Sequence, residues 1–219
     1  MKTRNTGASA VMARRSVTLY SFVDFDRGSR VRWLCNEIGL EVVEKRLNYT
    51  AQENKTEKYR AIHPFGLVPA IEYEGQTIWE SGAICQFLVE CFPDAGLAPL
   101  PNSPERAQYL SWMFFATSTF DRAAFDVFYN TTLRPNEGER DRAIVAIRPL
   151  LEVLNNHFRR HEYLLGERFR LPDLLIGHAL ALLKVAKMLD DGRYPPLYVY
   201  MERLAARPAA FKSKLFAAA

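Results

Sequence analysis

The sequence has no apolar run long enough to cross a membrane. Its longest apolar stretch, residues 174–183, is interrupted by His178 and ends before Lys184. A transmembrane helix needs about 20 consecutive apolar residues, so the sequence predicts no membrane partner. No secretory signal is predicted either, because no apolar stretch of roughly 7–15 residues follows the positive charges at the N-terminus.

Cysteine is scarce, and the three residues present, Cys35, Cys85 and Cys91, form no CxxC pair. An odd number of cysteines at these spacings argues against a disulfide framework and against a zinc site. His157 and His161 have helical spacing but no evident third ligand, so we interpret them as a solvated helix end. Reduced thiols are typical of the cytoplasm, and we predict a cytoplasmic protein that holds no metal.

The chain also lacks a charge excess outside its N-terminus. The net charge is +4, but residues 1–15 contain four basic and no acidic residues. Without these four, the 29 basic residues fall to 25, which equals the 25 acidic residues. A balanced charge does not favour binding to nucleic acid. We predict that residues 1–15 are a disordered extension, or that the true start is Met12, with a transit peptide as the alternative.

Residues 16–92 alternate between strand and helix patterns. Short β-rich stretches occur at 17–22, 41–47, 69–73 and 77–79. Helical spacing occurs at 31–38 and 81–91, and a short helix or turn at 56–62. Gly39 is typical of a helix C-terminus, and Glu74-Gly75 of a tight hairpin. The order β-α-β-α-β-β-α predicts a small α/β domain.

The proline-rich segment 93–103 is predicted to link this domain to a second one that is all helical, residues 104–219. Apolar residues recur at helical spacing in 104–120, 139–160, 172–185 and 198–206. The helix that starts near Pro172 is apolar on almost every side, so we expect it in the centre of a helical bundle.

Several segments together resemble the cytosolic glutathione transferases, of bacterial type. Residues 30–40 resemble the first helix of many transferases. The segment 63–71, His-Pro-Phe-Gly-Leu-Val-Pro-Ala-Ile, resembles the family's Asn-Pro-x-Gly-x-Val-Pro, and 79–84 resembles the Glu/Gln-Ser-x-Ala-Ile segment. Leu171-Pro172-Asp173 precedes the central helix, where the family has a cap that ends in Asp. The resemblance implies a thioredoxin-like first domain, a helical second domain, glutathione as co-substrate and a homodimer.

The resemblance implies a glutathione site around Val68-Pro69 and Glu80-Ser81. Val68-Pro69 would be a cis peptide, and the Val68 main chain would pair with the cysteinyl backbone of glutathione. The amides at a helix N-terminus bind carboxylates, so Ser81 would hold the γ-glutamyl carboxylate, while Glu80 would receive the ammonium. A plain turn at Val68-Pro69 and an ordinary N-cap at Ser81 are the alternatives.

Three further polar residues precede the Pro69 loop and could meet the glycyl carboxylate: Gln52, Lys55 and His63. A solvated surface is the alternative for each. Asp173 is expected to cap the central helix, although Arg170 stands where the family has Ser or Thr, so that the reciprocal capping box is incomplete.

The residue that activates the thiol does not follow the family pattern. The position of the usual serine or cysteine holds Asp26, whose negative charge would repel a thiolate. The remaining catalytic candidates, in order of preference, are Ser29, Ser21, Tyr20 and Arg27.

We therefore expect an enzyme, a glutathione transferase that directs the thiol at a hydrophobic electrophile. The aromatic-rich first helix of the second domain would hold that electrophile. One alternative is a glutathione-dependent disulfide reductase, lyase or isomerase on the same fold. The other is a glutathione-binding interaction module without catalysis, which the missing serine or cysteine favours.

Overall fold

The structure, a computed structural model, describes residues 16–216, so the predictions for residues 1–15 lie outside the described residues. The strands are β1 Ser16–Ser21, β2 Glu41–Arg46, β3 Ala70–Tyr73 and β4 Gln76–Trp79. The α-helices are α1 Gly28–Ile38, α2 Glu57–Arg60, α3 Ser81–Cys91, α4 Arg106–Phe114, α5 Asp121–Phe128, α6 Glu137–His157, α7 Leu171–Val185, α8 Pro195–Ala205 and α9 Pro208–Lys212.

The four strands form one mixed sheet in the order β2-β1-β3-β4. β1 and β2 are parallel, as expected for strands joined by a crossover helix, here α1. β3 pairs antiparallel with β1 and with β4, so that Ile71 lies opposite both Leu19 and Ile78. Residues at the β3–β4 turn, Glu74 and Gly75, both have positive φ, which confirms the predicted hairpin.

The two faces of the sheet are covered differently. Leu19 of β1 packs into the large core with Leu34 of α1 and Ile84 of α3. The neighbouring Tyr20 points to the other face, where it packs with Tyr59 of α2. This alternation follows from the period of two along a strand, and it matters for the catalytic candidates on β1.

The second domain begins with a helical rod that runs from α4 through α5 to Leu133. Two wider turns with i→i+5 hydrogen bonds, Phe115–Phe120 and Tyr129–Leu133, interrupt its α-helical geometry. Each such turn shifts the register of the helix, so the apolar spacing read over 104–120 does not continue in phase. The sequence predicts a helix only over 104–120, whereas the rod continues to Leu133.

Helix α7 occupies the centre of the molecule, as predicted. Its residues from Leu171 to Leu183 are all buried. It packs on α1 and α3 of the first domain as well as on α4, α5 and α8, so one core spans both domains. None of the helices within residues 16–216 combines the length and apolarity needed to span a bilayer.

Asp173 caps α7, as expected. Its carboxylate accepts hydrogen bonds from the main-chain N–H of Arg170 and of Leu164, both at 2.8 Å, and from the Tyr200 hydroxyl at 2.9 Å. An arginine side chain has no acceptor, so Arg170 cannot supply the reciprocal half of a capping box. The carboxylate thus ties the start of α7 to the preceding loop and to α8.

Candidate functional site

A cavity of about 680 Å³ lies at the junction of the two domains. The first domain contributes polar groups and main chain to its wall: Arg27, Arg30, His63, Leu67, Val68, Pro69, Glu80, Ser81, Gly82, Ala83 and Gln86. The α4–α5 rod contributes the facing wall: Arg106, Leu110, Met113, Phe114, Thr117, Ser118, Asp121 and Arg122. A partly apolar cleft with a few convergent charges is the usual form of a small-molecule site.

The loop between β1 and α1 is organised by Asp26. Its carboxylate accepts hydrogen bonds from the main-chain N–H groups of Phe22, Val23 and Gly28, at 2.5, 3.1 and 2.7 Å. Burial raises the pKa of the Asp26 carboxyl, and these amides partly offset that effect. The side chain does not line the cavity. Asp26, at the position where the resemblance implies a catalytic residue, therefore fixes the loop and does not line the cavity.

The three hydroxyl candidates do not reach the cavity. Ser29 is buried and donates to the main-chain oxygen of Asp26 at 2.9 Å. Ser21, also buried, donates to Glu44 at 2.6 Å. Tyr20 lies on the far face of the sheet, where its hydroxyl donates to Glu72 at 2.7 Å. The cavity wall therefore includes none of the three hydroxyls, because Ser29 and Ser21 are paired locally and Tyr20 lies on the other face of the sheet.

Arg27 is the catalytic candidate that lines the cavity. It stands just before the first residue of α1, and its Nε donates to Asp121 of α5 at 2.9 Å. Its guanidinium carbon lies 4.7 Å from the centre of the Phe125 ring, a cation–π distance. A fixed positive charge therefore faces the cavity at the start of α1.

Arg30 also lines the cavity, although the sequence did not single it out as a candidate site residue. Its guanidinium is almost fully buried, forms an ion pair with Asp121 and donates to the Ser81 hydroxyl oxygen at 3.0 Å. Burial alone would raise the pKa of Asp121, but Arg30 and Arg27 hold it below its usual value. One signal was available: Arg30 precedes Trp33 and Leu34 by three and four residues, which places a cation on the buried face of α1.

The start of α3 carries Glu80 and Ser81, as expected. Glu80 has φ 70° and ψ 114°, a left-handed conformation that a non-glycine residue adopts at a cost and that is frequent at functional sites. Ser81 is the first helical residue and is nearly buried. Its hydroxyl accepts from Arg30 and makes no capping hydrogen bond with the backbone. The ordinary N-cap interpretation of Ser81 is therefore not what the structure shows.

The loop before β3 places Val68, Pro69 and His63 at the cavity. The Val68–Pro69 peptide bond is cis, as the resemblance implies. His63 is almost fully buried, and burial lowers its pKa. Lys55 lies behind the loop, where its Nζ donates to the main-chain oxygens of Phe65 and Gly66 at 3.4 and 3.2 Å. Lys55 does not line the cavity, so the structure brings His63 to the site and leaves Lys55 outside it.

The facing wall is apolar where α4 ends, at Leu110, Met113 and Phe114. Beyond it, the hydroxyls of Thr117 and Ser118 donate to carbonyls four residues earlier, at 2.9 and 2.6 Å. Within residues 16–216 no three histidine, cysteine, aspartate or glutamate side chains group together as a metal site.

Comparisons with known proteins agree with this architecture. Residues 15–90 match the family described as Glutathione S-transferase, N-terminal domain, and residues 108–208 match Glutathione S-transferase, C-terminal domain. A glutathione S-transferase of Hyoscyamus muticus is 31% identical over 176 residues, which cover 76% of this chain and 82% of that protein.

Solved structures share the fold. The theta class glutathione S-transferase of Xanthomonas axonopodis pv. citri, solved with glutathione bound, has a TM-score of 0.79 and 25% identity, covering 91% of this chain and 97% of that one. Glutathione transferase F7 of Populus trichocarpa has a TM-score of 0.84 and 22% identity, covering 91% and 99%. A thioredoxin-like domain followed by a helical domain, with a cavity between them, defines the class of protein. The chain belongs to the glutathione S-transferase family.

Proposed function

We propose that the protein is a glutathione transferase, which binds glutathione on the first-domain wall of the cavity and directs its thiolate at an apolar electrophile. The observation that carries this proposal is the cavity itself. It joins a polar wall, with the start of α3 and the Val68 main chain, to an apolar wall on α4. The two substrates would meet between these walls, and proximity would supply much of the rate enhancement.

The γ-glutamyl end of glutathione would lie at the start of α3. Arg30 has only donors, so it makes the Ser81 oxygen an acceptor and leaves the Ser81 hydroxyl proton for a ligand carboxylate. The unpaired amides at the start of α3 add a favourable dipole for that carboxylate. Glu80 would receive the ammonium, and the Val68 main chain would pair with the cysteinyl backbone. His63 would contact the glycyl end.

Arg27 would stabilise the thiolate. A free thiol has a pKa of about 8.5, so little of it is ionised at neutral pH. A positive charge nearby favours the anion. Asp121 neutralises one of the two guanidinium charges of Arg27 and Arg30, so this cluster keeps a net positive charge. The Asp26 carboxylate is paired with three amides and does not line the cavity.

A glutathione-binding module without catalysis is the second candidate. It is favoured by the fact that Ser29, Ser21 and Tyr20 do not line the cavity, which leaves electrostatic activation by Arg27 as the proposed route. The electrophile class stays open, and detoxification in the cytoplasm by a homodimer is the setting that we propose.

The test is a pH titration of bound glutathione, followed by the ultraviolet absorbance of its thiolate. We expect the bound thiol to ionise at least about one pH unit below free glutathione. Turnover of an aryl halide or an unsaturated carbonyl compound would accompany it. Binding with an unshifted pKa and no turnover would favour the non-catalytic module, and absence of binding would refute both candidates.

A further inference from the structure

His178 is a buried ionisable residue to which neither the fold nor the proposed chemistry gives a role. It lies on α7 and is fully buried. The other buried ionisable residue of this helix, Asp173, caps its N-terminus, about one and a half turns away. A buried imidazole needs a hydrogen-bond partner to offset the loss of water, so its partner indicates its role.

The side-chain hydrogen-bond partner of His178 is Arg30. The Nδ1 atom of His178 lies 3.0 Å from an Nη atom of Arg30. A guanidinium has no acceptor, so Arg30 donates and Nδ1 accepts, which places the proton of the neutral ring on Nε2. Burial lowers the pKa of His178 well below its usual value, and the Arg30 charge adds to this effect. The ring is therefore neutral, and its Nδ1 lone pair is available to Arg30.

The guanidinium of Arg30 joins four helices. One Nη donates to Ser81 of α3 at 3.0 Å, and the other pairs with Asp121 of α5 and with His178 of α7. The two hydrogens of this second Nη are thus both used, which fixes the orientation of the planar group. Ser81 receives its hydrogen bond from the remaining arm of the same rigid group.

We propose that His178 is a positioning residue for glutathione, which holds the Arg30 guanidinium in the orientation that presents the Ser81 hydroxyl to the ligand carboxylate. This inference rests on the proposed function, because the ligand at Ser81 is glutathione. His178 does not line the cavity and acts through Arg30. Its loss would leave a buried N–H of Arg30 unpaired and free the guanidinium to turn away from Ser81.

The test compares glutathione binding and turnover in His178→Leu, His178→Asn and the wild type. Leucine fills a similar volume without an acceptor, whereas asparagine offers an oxygen near the position of Nδ1. We expect His178→Leu to raise the Kd and KM for glutathione about tenfold with a smaller change in kcat. His178→Asn should restore most of the affinity.

Tyr200→Phe is the matched control. It removes one buried hydrogen bond from the same helical domain, that of Tyr200 to Asp173, outside the cavity. We expect it to lower the Tm and to leave the Kd for glutathione unchanged. A Kd for His178→Leu that equals the wild-type value would overturn the inference, as would an equal loss of affinity in Tyr200→Phe.

A measurement on the wild type keeps the inference testable even where His178→Leu does not fold. The chain has four histidines, so long-range nitrogen–proton spectra can be assigned by the signal that His178→Asn loses. We expect a neutral ring protonated on Nε2 at neutral pH. A ring protonated on Nδ1 would refute this inference but leave the proposed function standing. A wild type that binds no glutathione refutes the proposed function, and this inference with it.

Discussion

Arg27 is the side chain on which activation of the thiol depends. Arg27→Gln removes the charge but keeps hydrogen-bonding groups, so we expect the pKa of the bound thiol to rise by about one unit. At a pH below the pKa of the bound thiol in the wild type, kcat/KM of Arg27→Gln should be about five- to tenfold lower. Arg27→Lys keeps a positive charge, so it should keep part of the lowering of the thiol pKa. The pKa would be measured by thiolate absorbance.

The control for Arg27→Gln is Arg140→Gln. It makes the same change of charge on α6, where Arg140 pairs with Asp141. We expect this variant to show the wild-type thiol pKa. An unchanged pKa in Arg27→Gln would assign the activation to another group and support the non-catalytic module.

The lowered pKa of Asp121 leads us to expect that the free energy of unfolding falls in acid. Arg30 and Arg27 hold its folded-state pKa below the unfolded value of 3.8. Between these two values the unfolded chain binds more protons, so the stabilisation is present above about pH 4 and is lost as the pH falls through the folded pKa. Asp121→Asn should cost roughly 3 kcal/mol at neutral pH, because it leaves the buried Arg30 without its anion.

This prediction is checked by denaturant unfolding of both proteins from pH 3 to 7. The gap between wild type and Asp121→Asn should shrink as the pH falls below about 4. Asp141→Asn, on the exposed surface of α6, is the control and should change the free energy of unfolding by less than about 0.5 kcal/mol. If the difference in free energy of unfolding between wild type and Asp121→Asn does not depend on pH, Asp121 is not ionised in the folded protein.

Between elements, Gly82 of α3 lies close to Thr117 of the wide turn Phe115–Phe120, and both residues line the cavity. A Cβ atom on Gly82 would lie 2.9 Å from the Cγ2 of Thr117, closer than real Cβ contacts allow. The Thr117 hydroxyl is held by the Met113 carbonyl, so the side chain cannot simply rotate away. We expect Gly82→Ala to destabilise the protein by about 1–3 kcal/mol.

Thr117→Ser removes the methyl group that the new Cβ would meet. The double variant should therefore recover most of the loss, as seen in a double-mutant cycle by thermal unfolding. Gly138→Ala is the control, since the nearest atom to its Cβ would lie 3.8 Å away. It should be neutral or stabilising, because alanine favours a helix over glycine. If the losses of stability in Gly82→Ala and Thr117→Ser simply add in the double variant, the contact with Thr117 is not the cause of the destabilisation.

The elements that follow from local sequence signals agree between sequence and structure. The hairpin at Glu74-Gly75, the end of α1 at Gly39 and the central helix α7 depend on local conformation and periodicity, and the structure confirms all three. The wide turn at Phe115–Phe120 was not predictable, because spacing of three and four residues assumes an uninterrupted α-helix.

The residues of the candidate site likewise fall into those that lie in local motifs and those that are brought together only by the fold. Glu80, Ser81 and Val68 lie in motifs, and the structure places them at the cavity. The pair Arg30–Asp121 joins residues 91 positions apart, which no local pattern encodes. The sequence could not predict whether the Ser29 hydroxyl is free, because its hydrogen-bond partner, the Asp26 carbonyl, is known only from the structure.

For the whole molecule, the shared core around α7 makes the two domains one folding unit. Trp33 of α1 is fully buried and stacks on Phe169 at 5.8 Å, across the domain boundary. We expect unfolding to be a single cooperative transition, since residues of both domains belong to one core.

The proposed homodimer predicts that an exposed aromatic patch is covered by a second copy. Phe65 is 63% exposed and packs edge-on against the partly exposed Trp79 at 5.7 Å, beside the cavity. Exposed clusters of this kind often mark interaction surfaces. Phe65→Asp should therefore shift the protein to monomer at micromolar concentration, as measured by sedimentation velocity over a concentration series. Phe211→Asp, at a position 80% exposed on α9, is the matched control and should leave the assembly unchanged. A wild type that sediments as a monomer at every concentration would refute the dimer, and a dimeric Phe65→Asp would place the interface elsewhere.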